Sequence, residues 1–494
     1  MLKSLSAVRW DYDMAAHLLN RAGFGGPPSV IKILADLNPD AALSTLLDYE
    51  RYADLTPDPV WAKPDPDGVR QLRDAARSAS PDERRKLYQE EMRVQFQRLT
   101  ELRGWWLNRM AKGPRPFQEK MVLFWHGHFA TSFEKVRNAY YMWRQNELFR
   151  RRATGNWQEL LTFAGKDPAM LIWLDQAESR RPHANENFAR EVMELFALGI
   201  GHYTEQDVTE GARALTGWSL DRLNQEYVYR PVFHDNGVKT FLGRTGNLNG
   251  DDVIAQIVAQ PAAARFITAK LWNFFAGQAP SDELNGALAD VFRENGNNFK
   301  PFLRVMFRSE EFYDPAIVRN QVKSPVQWLV GTARMLESDL PPTPVCEGIT
   351  RRLGQDLFAP PNVKGWDGGI SWITTTTLLD RYNTAAVLVQ GAEVPKARLE
   401  ALQPMTPMAG NQPESQGERI HVGGVNVDKI LAPDERADKD RVVAALQHRL
   451  LQSALKDDQE KALRDFLNAR GKLNDADIRA AIRLVMCTPE YQVA

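Results

Sequence analysis

"NENFAREVMELFALGIGHYTEQDVTEGARALTGW", residues 185–218, decides the reading of this chain. Phe188, Val192, Met193, Leu195, Phe196 and Leu198 cover most of a helical circumference. A helix apolar nearly all round is buried. Its one polar stripe runs through Asn187, Arg190, Glu191 and Glu194, which share a face at i, i+3, i+4 and i+7 spacing. Buried carboxylates are costly unless paired. The stripe therefore either faces a functional cleft or forms an ion-pair ladder through Glu186–Arg190 and Arg190–Glu194. Acids outnumber the single arginine, which favours the cleft and makes Glu186, Glu191, Glu194 and Arg190 candidate catalytic groups. Gly199 and Gly201 stop the helix, and Thr204 opens the next with Asp207 at the capping-box position. His202, in the intervening loop, is placed to turn back toward the acids. With Trp218, which ends the unit, it is a candidate substrate contact.

A second constellation is "EKMVLFWHGHFATS", residues 119–132. Pro116 starts a helix whose apolar face holds Met121, Phe124 and Trp125, and which runs into His126-Gly127-His128. A helix splays i and i+2 about 200° apart, so the two imidazoles converge on one divalent metal only if Gly127 makes the helix end irregular. Glu191, Glu194 or His234 would then supply a third ligand. The competing reading has both histidines hydrogen-bonding helix-end backbone groups.

In "FHDNGVKTFLGRTGNLNGDDVIAQIV", residues 233–258, His234 and Lys239 precede a glycine-rich loop leading into a capped helix. The loop lacks the GK[ST] of a phosphate-binding loop and follows no clear strand. It reads as a turn system whose amides are able to hold an anion at the helix start. "NVKGWDGGISWI", residues 362–373, is a similar loop, and Trp366 there is suited to stack on a sugar ring or to plug the core.

Helical periodicity dominates elsewhere, with strand-like alternation confined to "QEYVYRPVFHD", residues 225–235. The expected fold is mainly α: a multi-helical domain over residues 1–392, with short extended excursions. Residues 55–85 read as an exposed excursion, 393–436 as a linker, and 437–494 as a C-terminal helical hairpin appended to the domain. "ALADVFRENG" (287–296) parallels "ALRDFLNARG" (462–471), and "FLRVMFRSEEFY" (302–313) parallels "AIRLVMCTPEYQ" (481–492). The hairpin thus reads either as a duplicate of 281–313 or as a chance likeness between amphipathic helices.

Composition narrows the function classes. Lys+Arg 62 against Asp+Glu 63 leaves a net charge of -1, with no basic cluster, which argues against phosphate-backbone binding to nucleic acid. Cys346 and Cys487 lie far apart and make neither a disulfide framework nor a CxxC metal site. No apolar run approaches the roughly 18 residues of a membrane span. The opening "MLKSLSAVRWDYD" carries no apolar signal region, so the chain as written is expected in the cytoplasm, or in the periplasm or exported if its start is processed.

Taken together, "LLNRAGFG", "EKMVLFWHGHFATSFEKV", "DPAMLIWLD", the 185–218 stretch, "KTFLGRTGN", "ARFITAKLWNFF" and "GQDLFAPPNVKGWDGG" resemble the bacterial domain-of-unknown-function 1800 family, in that family's order. The resemblance implies a largely helical fold and a partner encoded nearby that looks sulfatase-like. It also implies export for many members, from which this chain departs, and it implies no activity. The residues themselves leave two function classes. One is a hydrolase with a buried His/carboxylate centre, either glycosidase-like, with a carbohydrate substrate, or using a metal to activate water. The other is a non-catalytic helical binding or assembly protein, in which the same stripe is a structural network.

Overall fold

Proline at the first helical position recurs through the chain, where its missing N–H costs nothing and its fixed φ suits the turn. Pro39, Pro66, Pro81, Pro116, Pro168, Pro261 and Pro325 each open a helix. Ser80 caps the long helix Pro81–Lys112 in a capping box with Glu83, and Thr204 does the same with Asp207 for Glu205–Leu215. These local signals, repeated, give a mainly α-helical protein in the computed structural model, which describes residues 2–395 and 419–494.

The helix Pro81–Lys112 runs against Pro116–His128, Ala139–Arg151, Pro325–Met335 and Thr343–Arg352. Around them one apolar core extends from Leu5 to Tyr491, with Trp106, Trp125, Trp157, Trp272 and Trp328 fully buried. Among the described residues the sheet content is three two-stranded antiparallel ladders: Trp218–Asp221 with Glu226–Tyr229, Lys239–Phe241 with Arg244–Gly246, and Ala392–Pro395 with Arg419–Val422. The first contains the alternation noted in the sequence. The third falls largely within the stretch expected to be a linker, 393–436, of which residues 396–418 lie outside the described residues. Among the described residues no helix is long and apolar enough to cross a membrane.

Residues 66–78, part of the expected excursion, form a helix that buries only Ala76. The two segments that parallel each other in sequence fold alike. Asp282–Glu294 and Phe299–Arg308 lead to a 3-10 turn at Glu310–Tyr313, as Asp457–Asn468 and Asp475–Met486 lead to Pro489–Gln492. The later copy packs on helix Thr375–Gln390. Its end pairs with an inner segment: Lys323 N–H donates to Gln492 O (2.9 Å) and Ala494 N–H to Gln321 O (2.8 Å).

Candidate functional site

The 185–218 stretch is central and buried, as its apolar surface requires. Phe188, Val192, Phe196 and Leu198 are sealed. Its helix changes character midway, however. Glu186–Glu191 is α-helical, and Val192–Ala197 is a π-helical turn that ends where Leu198 and Gly199 both donate to Met193 O (2.7 and 3.2 Å). Helix C-termini leave carbonyls without intrahelical partners. Two of these are taken from outside: Phe196 O accepts from His128 Nε2 (2.9 Å), and Leu195 O accepts from Lys270 Nζ (3.0 Å). A cation at a helix C-terminus is also favoured by the macrodipole. Three segments distant in sequence are joined at this one cap.

The cap fixes the histidine chemistry. His128 Nε2 carries the proton, since it faces a carbonyl, and Nδ1 turns its lone pair toward Lys270 Nζ at 3.4 Å. Burial, with Lys270 beside it, holds His128 well below the usual imidazole range. His126 has the opposite tautomer. Its Nε2 accepts from Phe358 N–H (3.0 Å), its ring packs against Trp106 and Phe358, and burial with Arg103 nearby pushes it down to about 3. The helix stays regular through His128. The expected convergence of His126 and His128 on a metal is therefore corrected: the rings leave the helix on different sides and each satisfies a backbone group. His234, the suggested third ligand, is buried with Nδ1 donating to Thr216 O (2.8 Å). Among the described residues no group of three or more His, Cys, Asp or Glu side chains is placed to hold a metal ion.

The acidic stripe does not form the ion-pair ladder that was the alternative to a cleft. Arg190 pairs with neither Glu186 nor Glu194. It makes a bidentate contact with Glu205 at the start of the following helix, both distances 2.7 Å. Past Val192 the i→i+5 bonding of the π turn breaks the i,i+4 register on which a ladder depends. Glu186 is exposed and accepts from Thr209 Oγ1 (3.0 Å). Glu194 accepts from Tyr203 O–H (2.7 Å), so the residue that turns back to the stripe is Tyr203, while its neighbour His202 stays exposed. Glu191 is half-buried and makes no hydrogen bond among the described residues. Burial and the neighbouring Glu194 raise its carboxyl above the usual range, against Lys364 and Arg190.

A folded-state pKa above the unfolded one means that ionising Glu191 opposes folding. Glu191→Gln is therefore expected to leave stability at neutral pH unchanged or slightly raised, since solvent screens much of the effect at a half-exposed carboxylate. Any gain disappears on acidification below about pH 4, where the wild-type carboxyl is itself neutral. Urea unfolding at both pH values measures this, and a clear loss at neutral pH would instead mark Glu191 as an ion-pair partner.

Of the remaining sequence candidates, Trp218 is buried in the first ladder against Phe188 and the helix start at Gly250, a core position. Lys239 is buried and donates to the carbonyls of Asp235 and Gly237, which closes the turn system. Trp366 does face open space.

That space is a cleft of about 580 Å³ formed where helices Pro116–His128 and Pro261–Ala276 meet the 362–373 loop and the Asn320–Ser324 segment. His128 and Trp366 line it, and neither Glu191 nor Glu194 does. The other groups that matter here are lysines. Lys120 is buried, lies 5.1 Å from the Phe24 ring centre, donates to Gln327 Oε1, and is pushed down to about 7 by burial and Arg21. Burial likewise brings Lys270 down to about 8. Lys364 stands at the exposed rim. Among the described residues none of the three forms an ion pair, and Asp367 is the one carboxylate in the lining. The signal for the two inner lysines was present as single cations in otherwise apolar helical runs, "KMVLFWHGH" and "FITAKLWNFF".

These features define a helical protein with a cationic, tryptophan-lined cleft at the junction of its characteristic segments. The family model described as "Protein of unknown function (DUF1800)" matches residues 17–493, nearly the whole chain, and the chain belongs to that family. No curated protein and no solved structure matches the chain.

Proposed function

We propose that this chain is a ligand-binding protein whose cleft takes a small molecule bearing an anionic group, a carboxylate, phosphate or sulfate. The observation that carries the reading is a pair of lysines, the buried Lys120 and the half-buried Lys270, which line one cleft without a carboxylate partner among the described residues. A buried cation without a counter-charge is costly, and an arriving anion removes that cost while raising both lysine pKa values back toward their ordinary range. Trp366 and Trp372 supply flat apolar walls for the remainder of the ligand. Of the two function classes, this favours binding over hydrolysis, because the acids suited to proton transfer, Glu191 and Glu194, lie outside the cleft lining.

Titration with sodium sulfate, phosphate and citrate against chloride at matched ionic strength tests the reading. A saturable change in tryptophan fluorescence is expected, with a rise in melting temperature. At a hundred times Kd the stabilisation amounts to about 2.7 kcal/mol. Lys270→Met should abolish the fluorescence response. If none of the three anions gives a saturable signal, or Lys270→Met responds like the wild type, the reading is wrong.

A further inference from the structure

A second opening lies apart from the lysine cleft. Two cavities of about 230 and 790 Å³ adjoin, sharing Lys63, Pro64 and Tyr140, and are taken together as a groove. Aromatic side chains mark it at intervals. Trp61 stands in the smaller cavity, held by its Nε1–H to Glu101 Oε2 (2.7 Å). Tyr140 stands at the junction, with Trp143 stacked beside it at 6.0 Å between ring centres. Tyr227 lines the larger cavity with Lys166 Nζ 5.3 Å from its ring centre.

The larger cavity also holds planar polar groups. Arg144 donates to the Gln225 carbonyl (2.7 Å) and forms no ion pair among the described residues. Asp167, at the start of helix Pro168–Trp173, accepts through Oδ1 from Gln145 Nε2 (2.9 Å) and from the N–H of Ala169 (3.0 Å) and Met170 (3.3 Å). Its Oδ2 has no hydrogen bond among the described residues. Burial lifts this carboxyl to about 7, so near neutrality it is able to donate as well as accept.

We propose that this groove binds a neutral, linear oligosaccharide. The C–H faces of sugar rings pack on flat aromatic side chains, and paired hydroxyls match planar guanidinium, amide and carboxyl groups. Trp61 and Tyr227 are the partly exposed rings of the two adjoining linings, one in each, with the buried Tyr140/Trp143 pair as a floor between them, so more than one sugar unit has a ring to pack on. Competing ligands fit less well. A polyanion would meet the carboxylates Asp65, Glu91, Glu147, Asp167 and Glu226 in the same linings, where Lys166 is already held by Asp251 (2.5 Å) and Arg152 by Glu159 (2.6 Å). A peptide anchored by apolar side chains needs a dry, apolar pocket, whereas charged groups share these linings with the rings.

Isothermal titration of the full chain with cellohexaose, chitohexaose, maltohexaose and xylohexaose tests this, with a heparin hexasaccharide as the charged comparison. At least one neutral hexasaccharide is expected to bind with a millimolar or tighter Kd, and more tightly than its trisaccharide. Trp61→Ala and Tyr227→Ala, both at partly exposed positions, should each weaken binding at least fivefold with unchanged melting temperature. Lys270→Met should leave it unaltered. Absence of binding by all four neutral chains overturns the proposal, as does binding that ignores both aromatic substitutions or a clear preference for the heparin fragment.

Discussion

Replacing Glu119 with alanine is expected to cost about 3–5 kcal/mol of folding stability, the usual consequence of removing one member of a buried ion pair. Glu119 is 1% exposed and joins three groups: Arg150 through Nε (2.7 Å) and Nη2 (2.9 Å), Arg109 through Nε (3.2 Å), and the Trp106 indole N–H (2.9 Å). Without it two buried guanidinium groups lose their shared counter-charge. Arg109 keeps Asp54 (2.5 Å) and Arg150 keeps Glu147, which sets the loss in the lower part of the range. Glu119→Gln retains the shape and isolates the part due to charge. Burial pushes the Glu119 carboxyl up, but Arg150 and Arg109 outweigh it and hold the carboxyl below its ordinary range. A depressed folded-state pKa contributes stability above the unfolded value, about 4.3, and loses it as pH falls through the folded one. The difference between wild type and variant should therefore shrink under acid urea unfolding. A pH-independent difference, or a loss below 1 kcal/mol, would contradict this account.

Gly365→Ala should be nearly as damaging and should act directly on the cleft. Gly365 has φ of +83°, and an added Cβ would lie 2.2 Å from Gly127 O, a backbone atom of the His126–His128 helix end. The left-handed conformation costs a non-glycine residue about 1–2 kcal/mol, and overpacking adds about 1–3 kcal/mol. Helix and loop cannot both keep their places. The loop is the more exposed partner, so it should move, taking Trp366 and Lys364 with it. The expected result is a lower urea midpoint together with loss of the anion-dependent fluorescence response. A variant with wild-type stability and titration would show that this contact does not seat the loop.

Much of the fold was readable because its signals are local. Proline at first-turn positions, Ser80 and Thr204 as caps, the glycine stop at 199–201 and the apolar circumference of 188–198 each depend on neighbours within a few residues. The site was less readable because its geometry is set by distant partners. The π turn goes with acceptors that His128 and Lys270 satisfy from other helices, and no periodicity within 185–198 announces it. The i,i+4 spacing offers Arg190 two partners one turn away as the alternative to a cleft, yet it joins Glu205 across a loop. His126-Gly127-His128 looked like a ligand pair because that spacing serves metals in irregular backbone, and the regular helix removes the premise. Trp218 and Lys239 were conspicuous as residue types, but each is consumed by the core or by a turn. Lys120 and Lys270 carried the better clue, because a solitary cation inside an apolar helix requires an explanation that a charged surface stripe does not.

One wall of the lysine cleft is fastened from far along the chain. Lys323 Nζ reaches Tyr491 O at 2.8 Å across 168 positions, and the backbone around it pairs with Gln492 and Ala494. On the ribosome the helices bearing Lys120 and Lys270 emerge first, and the strip at residues 321–324 follows, held at that stage by Gln321 on Phe274 O (2.7 Å) but without its C-terminal partners. The receptacle is finished only after residues 489–494 have been translated and have returned to that strip. A nascent chain, or one ended before residue 489, would thus carry Lys120, Lys270 and Trp366 while this wall lacked its C-terminal brace.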